Sequence, residues 1–233
     1  MATQRYSQGD TPHIVRGVQK DYKNIYYSRP EIALVADLTL QAGYGLIEAG
    51  TVLAKNKSAA GGANKYVPYS PTLFTGLEVD PARAYLVAAG TNATYLLYVT
   101  IADSYKFVVG DDVIIDDNVT AAENLGKITA IDRTTYPHMA VMTSTAAIGG
   151  TAFTVARKAH VKIEAGDSSN NYSDAVAILA KSVDTGSGVD AQGAVAPVIL
   201  SNAVLYEGML TNLDAAAKVD IGGASFGQFY ILK

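Results

Sequence analysis

The chain has 233 residues, of which 49% are hydrophobic and 17% charged, with a formal net charge of −4. That balance excludes an intrinsically disordered chain and gives no attraction to nucleic acid or to an anionic membrane. Cysteine is absent, which excludes a disulfide scaffold and a thiol centre and suits synthesis in a reducing cytoplasm.

The length predicts one large domain or two small ones, with ample apolar material for a core. No apolar run approaches the roughly eighteen residues of a membrane span, and the polar start at Met1–Asp10 lacks the apolar centre of a secretory signal. Fifteen tyrosines and no tryptophan suit strands and half-wet interfaces, where the ring packs and the hydroxyl stays hydrated.

Residues 1–30 read as a polar arm. Arg5, Arg16, Lys20, Lys23 and Arg29 face only Asp10 and Asp21, so the arm is net +3 and the remainder −7. Tyr6, Tyr22, Tyr26 and Tyr27 are interleaved without sustained periodicity. Such a segment is either a frayed terminus or a docking arm that orders on a partner through tyrosine burial and arginine pairing. The docking reading nominates Arg16, Lys20, Tyr22, Lys23, Tyr26, Tyr27 and Arg29 as partner-binding residues.

Over residues 31–77, Glu31–Ala36 reads as a strand leading into a hairpin. Leu46–Ile47 and Thr51–Ala54 form its outgoing side, and Lys65–Val67 its return. The Gly-, Ala- and Ser-rich stretch between Lys55 and Asn64 marks an exposed tip, and Pro68 and Pro71 are expected to end the return strand. Leu73–Leu77 closes the segment, and Asp80–Pro81 reads as a boundary.

Residues 78–164 read as an inserted small β-barrel or sandwich. Short apolar runs recur at Tyr85–Val87, Tyr95–Ile101, Phe107–Val109, Val113–Ile115, Lys127–Ile131, Ala140–Met142 and Phe153–Val155. Turn residues punctuate them. Val119–Leu125 is compatible with one helical turn capped by Thr120, with Glu123 at its third position. The runs Phe107–Val113 and Gly126–Asp132 are similar to those of SH3-like small barrels. Residues 165–233 return to the first pattern: Ala175–Gly186 as a strand ending at an acidic turn, then Ala194–Leu200, with Pro197 at an edge or bulge, and Ala203–Gly208. A short helix over Asn212–Lys218 would be capped by Asn212, and Phe229–Leu232 makes a final strand.

The stretch Ala49-Gly-Thr-Val-Leu-Ala54, the variable polar loop, and Lys65-Tyr-Val-Pro-Tyr69 together resemble the head decoration (capsid cement) proteins of lambda-like tailed bacteriophages. The later order is similar too: an Ala-Ile-Leu strand followed by an aspartate, a strand of small and branched residues, then a strand leading to a short C-terminal helix. The resemblance covers about 43–77 and 165–220; compact members of the family lack the 78–164 insert. It implies a mainly β, decoration-protein-like domain with short helices, interrupted by the insert. It implies binding to the major capsid protein on the outer surface of the virion head, as a homotrimer at local threefold axes. It implies a structural role, with no catalysis and no cofactor.

Chemical motifs add little. Gly223-Ala-Ser225-Phe-Gly227 matches a nucleophile elbow, but no histidine or acid follows it, as an α/β-hydrolase requires. Gly186-Ser-Gly188 matches a loose dinucleotide fingerprint without room for the helix that would hold the phosphate. Gly61-Gly62 near Lys55, Lys57 and Lys65 is no P-loop. Asp111, Asp112, Asp116 and Asp117 lack the spacing of a calcium loop, and His13, His138 and His160 lack that of a zinc site. The rivals to a decoration protein are another phage structural protein, an enzyme, for which the sequence nominates no polar constellation, and a glycan-binding surface module, with Tyr95, Tyr98, Tyr105 and Tyr136 as stacking faces unless those rings pack internally.

Overall fold

The computed structural model of the chain describes residues 24–28, 33–56, 64–71, 83–90, 94–117, 119, 122–149, 152–163, 174–222 and 230–232. Among these the chain is mainly β, with several sheets and two short helices. The docking candidates Arg16, Lys20, Tyr22, Lys23 and Arg29 lie outside the described residues. So do the hairpin tip at 57–63, Leu73–Leu77, Asp80–Pro81, Thr120, His13 and the Gly223–Gly227 motif.

The predicted hairpin forms one wall of a closed five-stranded barrel. β4 (Val52–Lys55) runs antiparallel to β5 (Tyr66–Pro68), and the circuit is completed by β2 (Leu34–Leu40), β14 (Ala194–Ser201) and β12 (Ala175–Leu179). Closure removes the exposed sheet edges that would otherwise invite pairing. Small and branched residues fill this narrow barrel: Val52, Ala54, Val67, Ala177, Ala196 and Val198 are all buried.

Pro68 is the last residue of β5, opposite Leu53, so the return strand ends there as expected. The ladder to β4 is made at alternate positions, by Asn56 N donating to Lys65 O and Tyr69 N to Val52 O. The missing proline donor is thus directed away from that ladder. Pro197, expected at an edge or bulge, instead lies inside β14 between β12 and β2, opposite Asp37, and its carbonyl accepts from Ala180 N.

Two further elements lean on the barrel. β3 (Leu46–Ile47) pairs with β13 (Val183–Asp184). β1 (Tyr26–Ser28) pairs antiparallel with β15 (Val204–Tyr206), which pairs in parallel with β16 (Tyr230–Leu232).

All strands between Arg83 and Ile163 pair among themselves. They are β6 (Arg83–Tyr85), β7 (Leu96–Thr100), β8 (Asp112–Asp116), β9 (Glu123–Asp132), β10 (Met139–Ser144) and β11 (His160–Ile163), in the order β6-β11-β8-β9-β10-β7. A bridge between Leu86 and Val99, and Val87 N donating to Tyr98 O at 2.9 Å, bring the first strand's end back to the last strand. The sheet therefore curls around its own core of Leu97, Val113, Ile115, Leu125, Met142 and Phe153. Arg83 and Lys162 are direct strand partners, so the chain enters and leaves this sheet side by side.

Two helix expectations need correction. Glu123 does not lie in a helical turn; it opens β9 opposite Ile115, and its carboxylate accepts Gly149 N at 2.6 Å. Pairing with β8 satisfies more backbone than one isolated turn could. Asn212 does not cap the C-terminal helix. It takes a left-handed conformation (φ 61°) and donates its side-chain amide to Tyr69 O, while Asp214 Oδ1 accepts Ala217 N at 2.8 Å. Asp214 is therefore the N-cap of the helix Ala215–Gly222, whose Ala217 and Ile221 are buried. The other helix, Ile101–Ser104, is capped by Thr100, whose hydroxyl accepts Asp103 N at 3.0 Å.

The apolar runs at Phe107–Val109 and Phe153–Val155 are not strands. Phe107 is buried within a turn, Phe153 makes a single bridge to Gly90, and Val155–Arg157 is a 3₁₀ turn.

Candidate functional site

Of the seven nominated partner-binding residues, the structure describes Tyr26 and Tyr27, and both lie in β1. Alternation along a strand sends them to opposite faces. Tyr26 is half-buried against the core, and burial raises its phenol pKa. Tyr27 is 53% exposed and meets Tyr206 edge-on at 5.1 Å. Met209 is also exposed, in the 3₁₀ turn Glu207–Met209 that follows β15. Just before β1, Ile25 is 1% exposed. A Cβ on Gly50 would stand 2.4 Å from Met209 O and 3.0 Å from the Ile25 side chain. Residues 24–28 thus belong to the folded body, and their tyrosines reach the surface from a paired strand.

The four aspartates around β8 meet different fates. Asp112 is paired with Lys127 and Asp116 with Lys162, each at 2.7 Å across neighbouring strands. Buried Asp117 accepts Val119 N at 3.0 Å and lies 3.6 Å from Arg157. Asp111 is fully buried, with Oδ2 accepting Val108 N at 2.9 Å and Oδ1 unpartnered. Among the described residues no three acidic, histidine or cysteine side chains converge as a metal site would need.

Asp111 stands where the two β systems meet. From the barrel side, Gln41 Nε2 donates to Lys106 O at 2.9 Å, Tyr44 Oη to the same carbonyl at 3.3 Å, and Asn56 Nδ2 to Gln41 Oε1 at 2.9 Å. The Asn56 amide lies beside the Asp111 carboxyl and favours its ionised form, but desolvation dominates and pushes the carboxyl up to about 7. Gln41 and Asn56 are buried. Gly43 makes the approach possible: at φ +97°, a Cβ there would stand 2.5 Å from the Tyr105 carbonyl carbon and oxygen. A second contact lies nearby, where Gly188 in the 3₁₀ turn Gly188–Asp190 faces Ala102.

The tyrosines of the glycan reading do not form an open platform. Tyr98 and Tyr136 meet at 6.3 Å and 74°, and the Arg133 guanidinium covers the Tyr105 ring at 4.3 Å. Arg133 also donates to Ser104 Oγ and Ser104 O, both at 2.8 Å, closing the end of the helix. Tyr95 alone of the four has no ring contact among the described residues, and it is exposed. His138 is exposed and His160 buried, 5.6 Å from the Tyr85 ring. An open hollow of about 490 Å³ lies beside Asp184, Val189, Asp190 and Gln192.

The buried seam escaped sequence reasoning. Gln41 and Asn56 are single polar residues beside strands, and nothing in their spacing marks them. Asp111 was visible only as one of four turn aspartates. The chain matches no protein-family model, no curated protein and no solved structure.

Proposed function

We propose that the protein is a phage head decoration protein that binds the outside of an assembled shell and cements neighbouring capsomers. The observation that carries this reading is the β4–β5 hairpin. The two stretches that resemble the decoration family, Ala49–Ala54 and Lys65–Tyr69, run into β4 and β5, which are strand partners in the wall of a closed barrel. The other resembling elements, the Ala175–Leu179 strand, the Ala194–Ser201 strand and the C-terminal helix, belong to or pack on the same barrel. In this reading residues 31–77 and 165–233 are the shell-binding domain, 78–164 is the inserted module and 1–30 supplies docking contacts.

The mechanism is multivalent binding rather than catalysis. Three copies at a local threefold axis each touch subunits of different capsomers, so shell expansion or fracture must break several contacts at once. The N-terminal arm adds main-chain bonds to a shell sheet edge, with tyrosine supplying contact area and arginine charge-assisted bonds.

The test is to add the protein to expanded shells of its cognate major capsid protein and map the particle. The expected result is density for three copies around each local threefold axis, on the outer surface. Failure to sediment with expanded shells, or single copies at isolated positions, refutes the reading.

A further inference from the structure

The junction between the barrel and the six-stranded sheet carries a titratable group that nothing neutralises. Asp111 is fully buried and its Oδ1 has no hydrogen-bonding partner. An ionised carboxylate offers about four acceptor sites; Val108 N and the Asn56 side chain serve the Asp111 carboxyl in part, and burial outweighs them in favour of the neutral form. The charged groups that act on it do not relieve this. From β8 it faces Asp112, of like charge. From β9 it faces Lys127, whose ammonium is bonded to Asp112 at 2.7 Å. The Lys106 ammonium, from the preceding turn, is paired with Asp103 at 3.0 Å. The barrel presents the neutral amides of Asn56 and Gln41 and the Tyr44 hydroxyl, which is committed to Lys106 O.

We propose that Asp111 is a proton-operated latch at this junction. Neutral, it lets the Tyr105–Asp111 turn sit dry on Gln41, Gly43 and Asn56; ionised, it draws water in and loosens the junction. The inference is independent of the shell-binding reading and holds for the isolated protein.

The sign follows from proton linkage. Burial raises the Asp111 pKa from 3.8 to about 7. Between those values the closed junction holds a proton that the open one has released, so closure weakens as pH rises. Below about 4 and above about 7 the linkage is flat. Each pH unit in the window multiplies the open population by up to about tenfold. His160 acts with the opposite sign: burial lowers its pKa, so its stabilising contribution is lost as pH falls below the unfolded value. The informative quantity is therefore the difference between the wild type and Asp111→Asn.

The experiment is amide hydrogen exchange of the full chain between pH 5 and 8, corrected for intrinsic rates and read at residues 41–45 and 105–111. In the wild type, opening of these segments is expected to rise by at least about tenfold from pH 5 to 7. In Asp111→Asn the rise is expected to vanish. Equal pH dependence in both proteins overturns the proposal. A carbon-13 titration of the Asp111 carboxyl in the wild type keeps the test open should the variant not fold. A midpoint between about 6 and 8 supports the latch, and one below about 5 overturns it.

Discussion

Replacing Gly43 by alanine tests the junction more severely than any other single substitution. The residue has φ +97°, and an added Cβ would stand 2.5 Å from Tyr105 C and O and 2.9 Å from Lys106 N. All three are backbone atoms, so no side chain can swing away, and the surfaces must part by roughly 1 Å to regain ordinary contact. Holding a non-glycine residue in the left-handed region costs about 1–2 kcal/mol. Parting the surfaces also weakens the bonds of Gln41 Nε2 and Tyr44 Oη to Lys106 O, each worth about 0.5–1.5 kcal/mol. The total is about 2–5 kcal/mol, equivalent to a fall in Tm of about 4–20 °C for a chain of this size. Gly45→Ala is the matched control: it too has positive φ (+64°), but nothing lies within 4 Å of its Cβ. It should lose only the backbone term, about 1–2 kcal/mol. Urea unfolding of both variants, followed by tyrosine fluorescence and circular dichroism, measures the difference. Equal losses in the two variants would refute the close approach on which the junction rests.

Four further outcomes follow from the same geometry. Removal through residue 28, or Ile25→Ala alone, should cost about 2–5 kcal/mol because Ile25 is core. Tyr27→Ala should alter stability by less than about 1.5 kcal/mol, yet weaken binding to expanded shells by about tenfold in a sedimentation assay. Asp214→Ala should destabilise by about 1 kcal/mol in urea unfolding through loss of the helix cap. Replacing residues 78–164 with a short Gly-Ser bridge from Leu77 to Ala165 should give a chain that folds by circular dichroism and still binds shells. The side-by-side entry and exit at Arg83 and Lys162 favours that bridge.

The strands were legible where their signal is local. Thr51–Ala54 and Ala194–Leu200 are short runs of small and branched residues, and each matches a strand to within a residue or two, whereas the run Ala175–Gly186 breaks into β12 and the separate β13. Barrel closure was not legible, because it depends on β12 meeting β4 across more than a hundred residues. Ile25 was hidden for a similar reason: one apolar residue among polar neighbours sets up no periodicity. Only its packing against Gly50 reveals it as core. The aspartates make the point most sharply. From Asp111 to Asp117 the sequence shows four equivalent turn acids, yet Asp116 is matched by Lys162 and Asp111 meets Asn56. Whether a carboxylate is solvated, paired or stranded is decided by which distant strand lies beside it, and no local spacing encodes that.

The composition of the junction has a mechanical consequence. An apolar junction of the same size would hold the two β systems together more firmly but with little preference for one angle, since apolar contact is non-directional. Here Lys106 O must meet both Gln41 and Tyr44, and hydrogen bonds lose strength steeply away from their preferred angles. Gly43 sets the closest approach, and the turn Gly188–Asp190 lies beside the helix Ile101–Ser104. This approach and the directional bonds hold the six-stranded sheet at a defined orientation. The two adjacent strand connections at Arg83 and Lys162 would by themselves act as a hinge. Such a junction presents the six-stranded sheet at one fixed angle to the barrel. The ionisable group in its centre is then the place where that angle can be released.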